Sequence, residues 1–103
     1  MNEKFAERLS QLRSNIGVSA REISLSIGQS PGYINNIENK KNLPSMTAFF
    51  DICDYFKISP MEFFDYETEN PKLSRELITE LRKLDYRETG HILEIVKDIN
   101  RKK

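Results

Sequence analysis

The chain has 103 residues, enough for one compact domain or a small domain with an appendage. Hydrophobic residues make up 38% and charged residues 31%, and no apolar run approaches about 18 residues, which excludes a transmembrane helix and leaves a soluble globular class. Lys plus Arg number 16 and Asp plus Glu number 16, a balance that argues against a protein coating nucleic acid without regard to sequence but leaves room for a local positive rim.

Periodicity is helical nearly throughout, and no stretch alternates like a strand, so an all-α fold is expected. The first helix covers about residues 3–15, where Phe5, Leu9, Leu12 and Ile16 share one face and Gly17 ends it. A second helix starts at Ser19, with Ser19-x-x-Glu22 as a capping box, Ile23 and Ile27 inward, and Gly28 as the stop. The third helix is expected over about 30–39, with Ser30 as N-cap, Pro31 in the first helical position and Ile34 and Ile37 in the core. After the loop 40–44, Ser45 caps a fourth helix with Phe49, Ile52, Cys53 and Phe56 on its apolar face. Ser59-Pro60-Met61-Glu62 repeats the cap grammar and starts a short fifth helix carrying Phe63 and Phe64.

The acidic, polar stretch 65–71 reads as a linker. Residues 73–84 return to helix, with Leu73, Leu77, Leu81 and Leu84 on one stripe. Asp85-x-x-Glu88 starts another helix, whose face carries Ile92, Ile95, Val96 and Ile99. This αα-hairpin has no third layer of its own, so its stripe needs a partner surface: the N-terminal bundle or the same hairpin of a second copy. The expectation is the second, a homodimer through residues 73–103.

Residues 19–38 carry the informative pattern: helix, glycine, one polar residue, a Ser cap, then helix. That is the helix-turn-helix layout, in which the second helix lies in the major groove of DNA. On a helical wheel, with Ile34 and Ile37 inward, Gly32, Asn36 and Asn39 face outward, with Asn35 at the edge and Tyr33 flanking. The outward face therefore has amides, a glycine and an aromatic ring, and no acid. Lys40, Lys41 and Arg21 are placed to reach phosphates. The candidate DNA-binding residues are Arg21, Ser30, Pro31, Gly32, Tyr33, Asn35, Asn36, Asn39, Lys40 and Lys41. Arg13 and Glu38 flank the core on the first and third helices, where they are placed to form an ion pair.

With Leu-x-x-Leu-Arg in the first helix, Ser-x-x-Glu-Ile, Gly28-x-Ser30, Tyr33-Ile34-x-x-Ile37-Glu38, Pro44-Ser45 and Ile58-Ser59-Pro60, residues 5–65 resemble the Cro/cI-type repressor family, also called the xenobiotic-response-element helix-turn-helix family. The resemblance implies a five-helix lambda-repressor-like DNA-binding bundle over residues 1–65, here followed by a linker (66–72) and the C-terminal hairpin (73–103). It implies sequence-specific binding to double-stranded DNA, often as a dimer. It also carries Arg13 and Glu38 over as an ion pair, and Gly32, Tyr33 and Asn36 as DNA-facing positions. Three departures stand out: Pro31 and Gly32 where members often carry Gln, Ser or Thr, Ser24 where Ala is usual, and Lys40 where Gly is usual. Base readout then rests on few side chains.

The expected function is a transcriptional regulator of repressor type, cytoplasmic and nucleoid-associated, binding a two-fold operator as a homodimer. The alternative is an antitoxin or protein-interaction module whose partner binds the C-terminal helices. No enzyme is expected, because a nucleophile–base pair, a phosphate-binding glycine loop and a metal cluster are all lacking, and neither a cofactor nor a membrane is implied. Cys53 reads as a small buried apolar residue, and His91-x-x-Glu94 as surface polar residues rather than metal ligands.

Overall fold

A computed structural model describes residues 2–103. Among them are seven helices and no strand: α1 (Asn2–Ile16), α2 (Ala20–Ser26), α3 (Tyr33–Glu38), α4 (Met46–Phe56), α5 (Pro60–Phe64), α6 (Pro71–Leu81) and α7 (Tyr86–Arg101). The fold is all-α, with five helices first and two C-terminal helices after them. The chain divides into two compact units, Met1–Lys72 and Leu73–Lys103.

In the first unit, one apolar cluster joins all five helices. It combines Phe5, Leu9 and Leu12 of α1, Ile23 of α2, Ile34 and Ile37 of α3, Phe49, Ile52, Cys53 and Phe56 of α4, then Ile58 and Phe63. The Phe63 ring is its aromatic centre, 4.8 Å from the Phe5 centroid and edge-on to Phe49 at 5.2 Å. Ile16, expected on the inward stripe of the first helix, is instead 48% exposed. It is the last residue of α1, where the chain is already turning into Gly17, so the stripe stops at Leu12.

Helix ends follow local chemistry. The side chains of Ser19, Ser45 and Ser59 accept from the N–H of Glu22, Ala48 and Glu62. Full reciprocal boxes form at Ser59–Glu62 and at Asp85–Glu88, whereas Ser19 makes only its own half. Helices α1 to α4 all close through paired reverse hydrogen bonds around one left-handed residue. After α2, for example, the Gly28 N–H donates to Leu25 O (3.1 Å) and the Gln29 N–H to Ser24 O (2.9 Å). Glycines 17 and 28 hold that conformation after α1 and α2, but Lys40 (φ 64) and Lys57 (φ 58) hold it after α3 and α4. A side chain in this region costs about 1 kcal/mol or more relative to glycine.

The stretch read as a linker is tied down along its first part. Arg8, 2% exposed, donates from Nε to Phe63 O (2.7 Å) and from its two terminal nitrogens to Glu62 O (2.7 Å) and Thr68 O (2.8 Å). The guanidinium thus satisfies carbonyls at the end of α5, where a cation suits the helix dipole, and fastens the next turn of chain to α1. Burial pulls this guanidinium below its ordinary pKa, against opposing pulls from Asp65 and Tyr66. Asn15 adds a bond from Nδ2 to Glu69 O at 2.8 Å. Helix then resumes at Pro71, two residues before the expected start.

In the second unit, α7 buries none of its residues, and Leu73, Leu77, Ile78, Leu93, Ile95, Val96 and Ile99 are all roughly half exposed. Among the described residues no helix is long and apolar enough to cross a membrane.

Candidate nucleic-acid interface

The site is built around α3, and the first question is what fixes so short a helix. Its start differs from the expectation. Regular helix begins at Tyr33 rather than at Pro31, and the residue before it is Gly32, which has no side chain to cap with. Residues 30–33 form a turn closed by the Tyr33 N–H on Ser30 O at 3.1 Å, and the Ser30 hydroxyl makes no hydrogen bond. The missing cap comes from the neighbouring helix. Ser24, fully buried in α2, accepts the Ile34 N–H at 3.0 Å and donates its own hydroxyl to Ala20 O at 2.8 Å. One hydroxyl therefore pairs a buried amide that would otherwise be an orphan of the first turn.

The other end of α3 is held by Arg13. Its Nε donates to Glu38 Oε2 and its Nη2 to Oε1, both at 2.8 Å, and Nη1 reaches Val18 O at 3.1 Å. This planar, two-pronged pairing joins α1, the turn into α2 and the last turn of α3. The Glu38 side chain is 12% exposed and the Arg13 side chain 25%. The hydrogen bond to Glu38 raises the Arg13 pKa above its ordinary value, so the guanidinium stays charged.

With both ends held from behind, the front of α3 is free. Asn35, Asn36 and Asn39 are exposed, and none of their carboxamides is hydrogen-bonded among the described residues. Asn35, Asn39 and Lys40 border an open groove against Glu7, Ser10 and Ser14 of α1, and Asn36 is not among its lining residues. Ser30, Pro31 and Gly32 are exposed at the leading turn. Tyr33 is partly buried and packs on the core. Arg21 on α2 and Lys40 and Lys41 after α3 are exposed cations without a partner among the described residues.

Residues 6–69 match the family model described as a helix-turn-helix domain. The chain belongs to the helix-turn-helix domain family. No curated protein and no solved structure matches it. Helix-turn-helix domains bind DNA with their second helix in the major groove, and α2 and α3 are the two helices of the motif. Members of such families are typically DNA-binding regulators.

Sequence reasoning missed two residues of this helix-turn-helix domain. Ser24 falls on the inward stripe with Ala20, Ile23 and Ile27, so its burial had a signal, but its bond to another helix had none. Arg8 sits one turn from both Phe5 and Leu12, a charge placed among core positions. Its partners are backbone carbonyls more than 50 residues away, which no side-chain pattern announces.

Proposed function

We propose that this chain is a Cro/cI-type transcriptional repressor that binds a two-fold operator as a homodimer inside the cell, with α3 of each copy in a major groove. The observation that carries the reading is the outward face of α3. Three unbonded carboxamides stand along α3 and its C-cap, and the one acid of α3, Glu38, has both oxygens engaged by Arg13. Arg21, Lys40 and Lys41 supply positive charge around that face, suited to phosphates on either side of a groove.

In this reading residues 1–65 are the DNA-binding domain, 66–72 the connection and 73–103 the dimerisation element. Isolated helices of 11 and 16 residues are marginal in water. Burying the remaining half of each exposed Leu, Ile and Val side chain is worth about 1 kcal/mol apiece, and a second copy of the same hairpin gives that burial with four helices packed together. Two copies would place their α3 helices about 34 Å apart, one turn of DNA.

The test combines Asn36→Ala with Lys40→Ala. Operator binding is lost while the thermal transition is kept; retained affinity would refute the site. Sedimentation of the unmodified chain should give twice 12.1 kDa. A stable 12.1 kDa monomer, together with a tight complex with a second small protein, would favour the alternative, an antitoxin or interaction module that uses α6 and α7.

A further inference from the structure

We infer that the base pairs read by α3 are A·T pairs, with adenine edges taken by its carboxamides and thymine methyl groups by Pro31 and Tyr33; this rests on the DNA-binding reading above. Each base offers a fixed pattern in the major groove. Adenine presents an acceptor at N7 beside a donor at N6, and a carboxamide matches both at once. Guanine presents two acceptors, matched by the paired donors of Arg or by Lys. Cytosine presents a donor, matched by Asp or Glu.

Along α3 and its C-cap, the outward amide side chains are of the first kind. Asn35, Asn36 and Asn39 are exposed, and among the described residues their carboxamides have no bond to give up. Neither Arg nor Lys occurs within α3. The nearest cation, Lys40, stands beyond the helix in a left-handed turn, and Lys41 follows it. The one acid of α3, Glu38, has both carboxylate oxygens held by Arg13. Within α3 itself, groups matched to guanine and cytosine are thus absent or engaged, and Lys40, which borders the same groove as Asn35 and Asn39, is assigned to phosphate.

Beside the Ser30 hydroxyl, the leading turn adds apolar carbon. Pro31 is exposed and Tyr33 is only partly buried, and apolar carbon is what a thymine methyl group accepts. Nothing lies within 4 Å of where a Cβ on Gly32 would stand, so the leading turn has open space for close approach of a base edge. Asn35 and Asn39, one helical turn apart, share the α1 flank, while Asn36 points off it. The carboxamides therefore face two directions and can address neighbouring base pairs.

The experiment is selection of duplexes from a randomised pool by the full chain, followed by titration of the selected site. A two-fold motif whose specified positions are A·T is expected. Replacing its adenines with 7-deazaadenine, one position at a time, should weaken binding roughly tenfold at the contacted positions. Asn36→Ala should weaken binding to that site roughly tenfold to a hundredfold and relax one position, with the salt dependence kept. Lys40→Ala should instead lower the salt dependence and leave the preferred sequence alone. A selected motif specified by G·C pairs overturns this inference and leaves DNA binding standing. Salt-dependent binding without any enriched motif does the same. No binding to any duplex overturns the DNA-binding reading and this inference with it.

Discussion

Replacing Ser24 by Ala removes one hydroxyl and tests what starts α3. Two bonds go, Ile34 N–H to Ser24 Oγ at 3.0 Å and Ser24 Oγ to Ala20 O at 2.8 Å. The larger loss is the first. Ile34 is fully buried, and an unpaired buried N–H costs about 1–3 kcal/mol. Alanine returns about 0.5 kcal/mol through its better helix propensity. The net expectation is a loss of about 1–2 kcal/mol, and each kcal/mol lowers the melting midpoint by about 4–8 °C in a domain of this size. Guanidinium melts followed by circular dichroism give the stability, and hydrogen exchange at the Ile34 amide locates the effect. Ser26→Ala is the control: it lies on the same helix and is exposed, so it gains the propensity term alone. If Ser24→Ala is as stable as Ser26→Ala and the Ile34 amide exchanges no faster, the cross-helix cap does not hold α3.

Lys57→Gly should stabilise the chain by about 1 kcal/mol, because glycine adopts the left-handed conformation without strain. Lys40→Gly should give the same gain in a thermal melt but weaken binding to DNA, which separates the two lysines. Arg8→Met should cost about 2–4 kcal/mol by leaving the Glu62, Phe63 and Thr68 carbonyls without their donor, and Arg8→Lys should recover only part, since one ammonium cannot reproduce the fork. Both are read from denaturant midpoints. Burial, then the nearby Asp54 charge, pushes the Cys53 thiol from 9.0 up to about 11. The folded state thus disfavours the thiolate: this contribution is whole below pH 9 and fades as pH climbs to 11, a loss of roughly 2–3 kcal/mol. Stability of the unmodified chain should fall more steeply over that window than stability of Cys53→Val; equal slopes would refute the assignment.

What the sequence makes legible here is local. Gly17 and Gly28 mark their helix ends, and Ser45, Ser59 and Asp85 mark their starts, because cap and capped amide lie within a few residues. The third helix breaks this rule. Its cap sits on another helix, so Ser30 and Pro31 suggest a start that Ser24 moves to Tyr33. The hold of Arg8 on the chain after α5 is hidden for the same reason, since backbone carbonyls carry no letter. Arg13 and Glu38 were within reach of a helical wheel because both bear opposite charge at the core's edge. For the outward residues of α3, the wheel gives exposure, and exposure is what the structure gives too; whether they meet bases is a matter for the selection experiment.

The placement of that capping hydroxyl has a consequence for how such a domain changes its target. Positions that both start a helix and touch a ligand are usually caught between two demands. Here residues 30–32 are released from the first, because Ser24 holds the leading turn from inside the protein and Arg13 holds the trailing one. In the proposed reading, substitutions at Ser30, Pro31 or Gly32 can therefore alter what meets the groove without unseating the helix. Such a domain would separate the machinery that keeps its third helix in place from the residues that do the reading, which makes those three positions the natural ones to randomise when a new operator is wanted.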